Sequence, residues 1–193
     1  TVEERPTGEI FAGAGTGTSG ASISAGIQEK NYLGKGIRLT TNLSLSEDEV
    51  KGKFAIINPN FRNTDRSLNT TIESTSSDFM TTSGYKTTRT GLKVGTGFEQ
   101  YDDLFFNLDI SNYYEKLETS SSASAIKKKQ EGDYFENLIS YAITLNKLDQ
   151  NFQPTDGYLT SFSQTLPIYS DDSTIENSVK MSKYHSLNDS LIL

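Results

Sequence analysis

Strict two-residue alternation of apolar and polar side chains dominates this chain, and it restricts the fold to β-sheet. Ala21, Ile23, Ala25 and Ile27 alternate with Ser22, Ser24, Gly26 and Gln28. Ile37, Leu39, Leu43 and Leu45 alternate with Arg38, Thr40, Asn42 and Ser44, Thr41 being a weak member of the apolar row. Leu104, Phe106, Leu108 and Ile110 share one face, although Phe105 interrupts the polar one. Ile139, Tyr141, Ile143 and Leu145 repeat the pattern against Leu138, Ser140, Ala142 and Thr144. Successive side chains of a strand point to opposite faces, so each run makes a ribbon with one apolar and one polar side. Fifteen glycines, ten Tyr and ten Phe beside only four prolines suit twisted strands joined by turns.

The alternation and its interruptions predict strands near 8–18, 21–31, 36–47, 50–58, 66–77, 84–99, 102–118, 131–148, 157–168 and 175–188. The connections fall into two alternating classes. Ser19-Gly20, Glu47-Asp48-Glu49, Asp78–Gly84, Ser120–Gly132 and Ser170–Thr174 are acidic, Ser-rich or long. Asn31–Gly36, Asn58–Arg66, Glu99–Asp103 and Asp149–Gly157 carry aromatics among Asn, Asp, Gly and Pro. Two such classes are expected where each strand crosses a membrane and the two rims meet different surroundings. The first class is assigned outside and the second to the periplasm, with Tyr32, Phe61, Tyr101 and Phe152 in an aromatic girdle.

The mean hydropathy of −0.52, with no apolar run approaching the roughly 20 residues a spanning helix needs, excludes helical membrane spans. It does not exclude barrel strands, which need an apolar residue only at every second position. A net charge of −7 argues against a nucleic-acid surface. Without cysteine there is neither a disulfide framework nor a thiolate metal site. The opening Thr1-Val2-Glu3-Glu4 is no signal peptide, and Ser186–Leu193 lacks the aromatic-ended strand of a finished outer-membrane barrel. The expectation is a piece of a longer protein: an all-β, antiparallel, up-and-down transmembrane barrel, partial, with about ten strands present.

Glu4-Arg5-Pro6-Thr7-Gly8-Glu9, the glycine-rich Phe11–Thr18, and the turns Asn31-Tyr32-Leu33-Gly34-Lys35-Gly36 and Asn58-Pro59-Asn60-Phe61 follow one another in order. Asn146-Lys147-Leu148-Asp149 and Pro154-Thr155-Asp156-Gly157 complete the series. In this order and spacing the chain resembles the BamA-type barrel-assembly insertases. The resemblance implies that residues 1–7 end the junction between the periplasmic POTRA domains and the barrel. It implies that 8–193 are the N-terminal portion of a sixteen-stranded barrel in the outer membrane of a Gram-negative bacterium. It further implies a protein that folds and inserts other barrels without chemical turnover, and that takes no cofactor or metal. The implied partners are unfolded outer-membrane barrel proteins, accessory assembly lipoproteins, and outer-membrane lipid and lipopolysaccharide, with no nucleic acid. In that family the first strand pairs weakly with the last, and the seam opens as a lateral gate. An Arg-Gly-Phe loop belongs to the later part, beyond these residues.

The residue chemistry fits such a gate. Gly8, Gly13, Gly15 and Gly17 punctuate the first strand with Ala12 and Ala14 between them. Each strand glycine costs about 0.5–1 kcal/mol relative to Ala. The expected client-binding edge is Glu9, Ile10, Phe11, Ala12, Gly13, Ala14, Gly15 and Thr16, whose open backbone groups could template an incoming strand. The competing reading is that these glycines permit sharp coiling or close packing. Gly13–Gly17 also has the look of a phosphate loop, but lacks the helix and the Gly-Lys-Ser/Thr ending. The expected periplasmic turns are Asn31, Tyr32, Leu33 and Gly34; Asn58, Pro59 and Phe61; and Pro154, Asp156 and Gly157.

Other polar groups carry ordinary readings. His185 is the only histidine, and no Gly-x-Ser-x-Gly elbow accompanies it. Asp102-Asp103 and Asp171-Asp172 lack calcium-loop spacing. Lys127-Lys128-Lys129 reads as a flexible, solvated loop, with attraction to anionic lipopolysaccharide head groups as the functional alternative. Arg38 and Arg89 fall on the polar face and are expected in the lumen. The rival functions are a TamA-like assembly factor, a two-partner secretion transporter, a passive porin, and a soluble β-sandwich binding domain.

Overall fold

A computed structural model of the chain describes residues 7–17, 20–170, 174–188 and 191–192. Ten strands form one antiparallel sheet in chain order: β1 (Gly8–Gly17), β2 (Gly20–Tyr32), β3 (Ile37–Ser46), β4 (Glu49–Asn58), β5 (Ser67–Phe79), β6 (Tyr85–Tyr101), β7 (Leu104–Thr119), β8 (Gly132–Leu148), β9 (Gly157–Ser170) and β10 (Glu176–Tyr184). This is the all-β, up-and-down arrangement that the alternation implies, and the strand boundaries fall close to those expected. The last is a correction. Instead of one strand over 175–188, β10 stops at Tyr184, and a separate hairpin joins β11 (Ser186–Asn188) to β12 (Leu191–Ile192). The reason is register: Tyr184 pairs with Gly157, the first residue of β9, so no backbone remains for residues beyond it to pair with.

The alternation becomes two continuous surfaces because directly paired residues lie on the same side of a sheet. One rung runs Ile10–Ile27–Thr41–Phe54–Ile72–Leu92. Another runs Thr96–Leu108–Tyr141–Gln164, and a third Phe98–Phe106–Ile143–Phe162–Val179. The opposite face carries Ser, Thr, Asn, Glu, Lys and Arg. Among the described residues no second layer covers the apolar side. Among the described residues only Ala55, Leu117 and Ala123 are buried apolar groups, and no side chain is fully enclosed. Ile23, Leu43, Ile72, Leu92, Ile110 and Ile143 all remain exposed. A soluble sandwich would bury these residues between sheets, so that alternative fails. No described helix is long and apolar enough to cross a membrane.

Strand length varies around the sheet. β1 and β3 have 10 residues, whereas β6 and β8 have 17 and β7 has 16. Crossing a bilayer takes about 9–11, so β6–β8 run past the apolar belt. Their outward ends are ion-paired, with Lys86 on Asp78 at 3.1 Å and Lys116 on Glu118 at 2.8 Å. Just below, Tyr114 pairs with Phe135, whose ring lies 6.1 Å from Tyr169. Ten residue steps separate Leu104 from Tyr114. At ~3.3 Å per residue and a tilt of about 40°, they span about 25 Å, the height of a barrel's lipid-facing band. The outward face holds one surprise within that band: Asn137 Nδ2 donates to Asn112 Oδ1 at 2.7 Å, two rungs below the Tyr114–Phe135 pair.

Candidate functional site

β1 is the terminal strand of the sheet. Among the described residues it pairs with β2 alone, over ten uninterrupted rungs from Gly8–Glu29 to Gly17–Gly20. The expected edge residues divide by face. Ile10, Ala12, Ala14 and Thr16 lie on the apolar side, while Glu9, Phe11, Gly13 and Gly15 lie on the polar side. Residues 8–16 are all solvent-exposed, Ile10 to 83%. Side-chain ties cluster at its start: the Thr7 hydroxyl donates to Glu29, and Lys30 pairs with Glu9 at 3.0 Å. Farther along, Ala12 to Thr16 face only Ala25, Ser24, Ile23, Ser22 and Ala21.

The glycines of this region are not equivalent. A Cβ added at Gly13 or Gly15 would meet nothing closer than a serine hydroxyl at 3.7 or 3.9 Å, which is ordinary contact, and neither has a positive φ. Neither packing nor backbone conformation within the sheet requires glycine there. Gly26 is the opposite case. It is buried, and a Cβ would lie 2.4 Å from Phe11 Cζ and 2.5 Å from the Thr41 carbonyl oxygen. Gly91 likewise makes room for the Tyr113 ring, at 2.3 Å.

Antiparallel order places residues 33–36, 59–66, 102–103 and 149–156 at one end of the sheet and the odd-numbered hairpins at the other. In the first turn, the Gly36 N–H donates to Asn31 Oδ1 at 2.6 Å, and that of Gly34 to the carbonyl of Asn31, next to Tyr32. Leu33, Gly34 and Gly36 have positive φ. In the second, Asn58 Oδ1 accepts from Asn60 N–H beside Pro59, while Phe61 N–H donates to the Arg66 carbonyl and Arg62 lies over the Phe61 ring. In the last, the Asp149 carboxylate accepts from the backbone N–H of Gln150 and from both the N–H and the hydroxyl of Thr155. Those bonds, the Thr155 hydroxyl foremost, hold the Asp149 carboxyl below the ordinary aspartate value. Pro154 and Asp156 complete the loop, and Gly157 (φ +105) could carry no Cβ, which would lie 2.1 Å from the Lys147 carbonyl. Leu33 (70%) and Phe152 (79%) project freely from this rim, with Tyr32 and Tyr101 also exposed.

The polar face holds a charge network that sequence reading did not assemble. Arg89 pairs with Glu136 at 2.9 Å and Glu115 at 3.7 Å and lies 4.2 Å over the Tyr113 ring, whose hydroxyl donates to Glu73. Lys93 pairs with Asp109 at 3.3 Å. Arg38, paired with Ile57, shares this face. The lysine-bearing loop is solvent-exposed as expected, but it has a defined local structure. Residues Ala125–Lys129 form a one-turn helix, α1, capped by the Ser124 hydroxyl. The loop is docked: Ser120 N–H donates to the Gly84 carbonyl, Lys128 to the Ser121 carbonyl, and Lys127 sits 4.7 Å over the Tyr85 ring.

Gly13–Gly17 lies inside β1 and leads to a second strand, so it is no phosphate loop. Asp171-Asp172 falls outside the described residues. His185 Nδ1 stands 3.4 Å from Asp156 Oδ1, both groups exposed. Among the described residues no three His, Asp or Glu side chains gather as a metal site requires.

Residues 31–193 match the Omp85 superfamily domain. The chain belongs to the Omp85 superfamily. The Omp85 match begins at the end of β2, so β1 and most of its partner strand lie outside it. The fold match extends further. The chain is similar to the crystal structure of BamA from Haemophilus ducreyi lacking POTRA domains 1-3, with a TM-score of 0.73 and 25% identity over 97% of this chain. It spans 39% of the length of that chain. The ten strands are therefore a partial barrel of the BamA kind, in a superfamily of outer-membrane assembly and transport factors. The apolar face is the lipid face, and the polar face lines the lumen.

Proposed function

We propose that this chain forms the first strands of an insertase that folds and inserts β-barrel proteins into the outer membrane, with β1 as a lateral gate. The observation that carries the reading is the pair of glycines at 13 and 15. They weaken a terminal strand, and nothing inside the sheet calls for them. A strand kept poor in packing yields its free edge readily, and that edge can then template a client strand through main-chain hydrogen bonds. No bond is made or broken in the client, so the acceleration comes from offering paired backbone at the membrane, where unpaired N–H and C=O groups are most costly.

On this reading the turns at 33–36, 59–66 and 149–156 face the periplasm, where the accessory lipoproteins act. The ion-paired ends of β6–β8 and the lysines of α1 stand among lipopolysaccharide head groups. A TamA-like factor or a two-partner secretion transporter shares the architecture and differs in its client. A passive porin calls for a first strand held as firmly as the others.

The test is reconstitution of the full-length protein into liposomes with an unfolded barrel client. Folded client, scored as a heat-modifiable band, is expected to accumulate several-fold faster than in empty liposomes. Steady ion conductance with no acceleration of client folding would support the porin instead.

A further inference from the structure

Phe11 is the one aromatic side chain of β1, and it points to the lumen. It pairs directly with Gly26, which pairs in turn with Asn42 on β3. At the point where a Cβ on residue 26 would stand, Phe11 Cζ is 2.4 Å away and Asn42 Oδ1 2.6 Å away. The ring tip and the amide thus close over the glycine from both sides, and three strands share one small cluster. Gly26 is buried, although most of the surrounding lumen wall is open. Asn42 Oδ1 is itself buried with no hydrogen-bond partner, a cost that the cluster imposes on the wall. Gly26 lacks a positive φ, so space, not backbone conformation, demands glycine there: a Cβ would strike the Thr41 carbonyl on one side and the Phe11 ring on the other. An aromatic ring over a cross-strand glycine is a recognised way to pin register.

The cluster also marks a boundary along β1. On its N-terminal side stand the Thr7–Glu29 and Glu9–Lys30 contacts and the Ile10–Ile27 pair. Beyond it come Ala12, Gly13, Ala14, Gly15 and Thr16 against small residues and Ile23. We infer that Phe11, seated on Gly26 and against Asn42, is the stop at which peeling of β1 from the barrel wall ends: residues 12–17 come away and residues 8–11 stay. Phe11 is a positioning residue. It holds the base of the strand in register, so that the loosened part presents its backbone to a client at a fixed depth. The inference rests on the gate reading for its purpose, but its physical content concerns the β1–β2 seam alone.

The experiment is amide hydrogen exchange on the full-length protein in lipid nanodiscs, resolved to single residues across β1, with β5 as internal control. In the wild type, amides of 12–16 are expected to exchange at least tenfold faster than those of 8–11. Phe11→Ala raises exchange at 8–11 about tenfold and leaves 67–79 unchanged, whereas Phe11→Tyr keeps the ring and the protection. Uniform exchange along β1 in the wild type, or unchanged protection of 8–11 in Phe11→Ala, overturns the inference. A client-insertion assay on the same samples separates the two ideas. If the exchange boundary is present but clients insert equally well with β1 locked to the last strand of the barrel by a disulfide, the stop stands and the gate reading falls.

Discussion

At the scale of single residues, glycine carries most of the information, and its meaning depends on what surrounds it. Gly91 is a socket for Tyr113, so Gly91→Ala is expected to cost about 1–3 kcal/mol through overpacking, read as a lower urea midpoint. Gly13→Ala should go the other way, stiffening β1 by about 0.5–1 kcal/mol while slowing client insertion. A loss of both stability and activity would mean that the glycine serves packing after all. The sequence displays both glycines equally, and only the cross-strand register tells the socket from the gap. Asp149 is legible in a similar half-measure: Pro-Thr-Asp-Gly announces a turn, but not the carboxylate that ties it together. Because folding lowers the Asp149 pKa, its contribution is complete above the unfolded value of about 3.9 and fades as pH falls through the depressed folded value. The protection of the Thr155 amide, measured as exchange relative to the unfolded chain at the same pH, should therefore fall on acidification below pH ~4, and Asp149→Asn should abolish that pH dependence.

Individual elements were legible where side-chain period decided them. The two-residue repeat located all ten strands of the main sheet, because one face meets lipid and the other water, and a shift by one residue would exchange them. Turns at Asn31–Gly36 and Asp149–Gly157 were legible because positive φ at Gly34, Gly36 and Gly157 leaves few alternatives to glycine. Two features escaped. The stop of β10 at Tyr184 depends on where β9 begins, a non-local fact. The docking of residues 120–131 depends on Gly84, on the preceding hairpin, at φ +75 with the Ala123 nitrogen 2.5 Å from where a Cβ would be. Gly84→Ala should undock α1, and trypsin cleavage at Lys127–Lys129 in intact cells should accelerate several-fold. Unchanged cleavage would mean that the loop is held elsewhere.

At the scale of the whole sheet, the governing fact is a single layer whose aliphatic side chains, among the described residues, have no protein layer over them and require hydrocarbon to cover them. Leu108, midway up the belt, is the sensitive place: Leu108→Arg is expected to cost about 2–4 kcal/mol, read from equilibrium unfolding in lipid. Single fluorophores at 106–111 should be quenched by brominated lipid at 106, 108 and 110 and spared at 107, 109 and 111. The sequence made this two-sidedness plain, but not the Asn112–Asn137 bond inside the belt, since only register shows that two polar residues there satisfy each other. The proposed function lies one step beyond, at the edge of β1 that faces away from β2. Its most direct test is a photocrosslinking scan at residues 9–16 in the full-length protein during insertion of a stalled client. Adducts concentrated along β1, and absent from control positions 68–76 in β5, are the expected result. Productive insertion with no adduct anywhere on β1 would contradict the account.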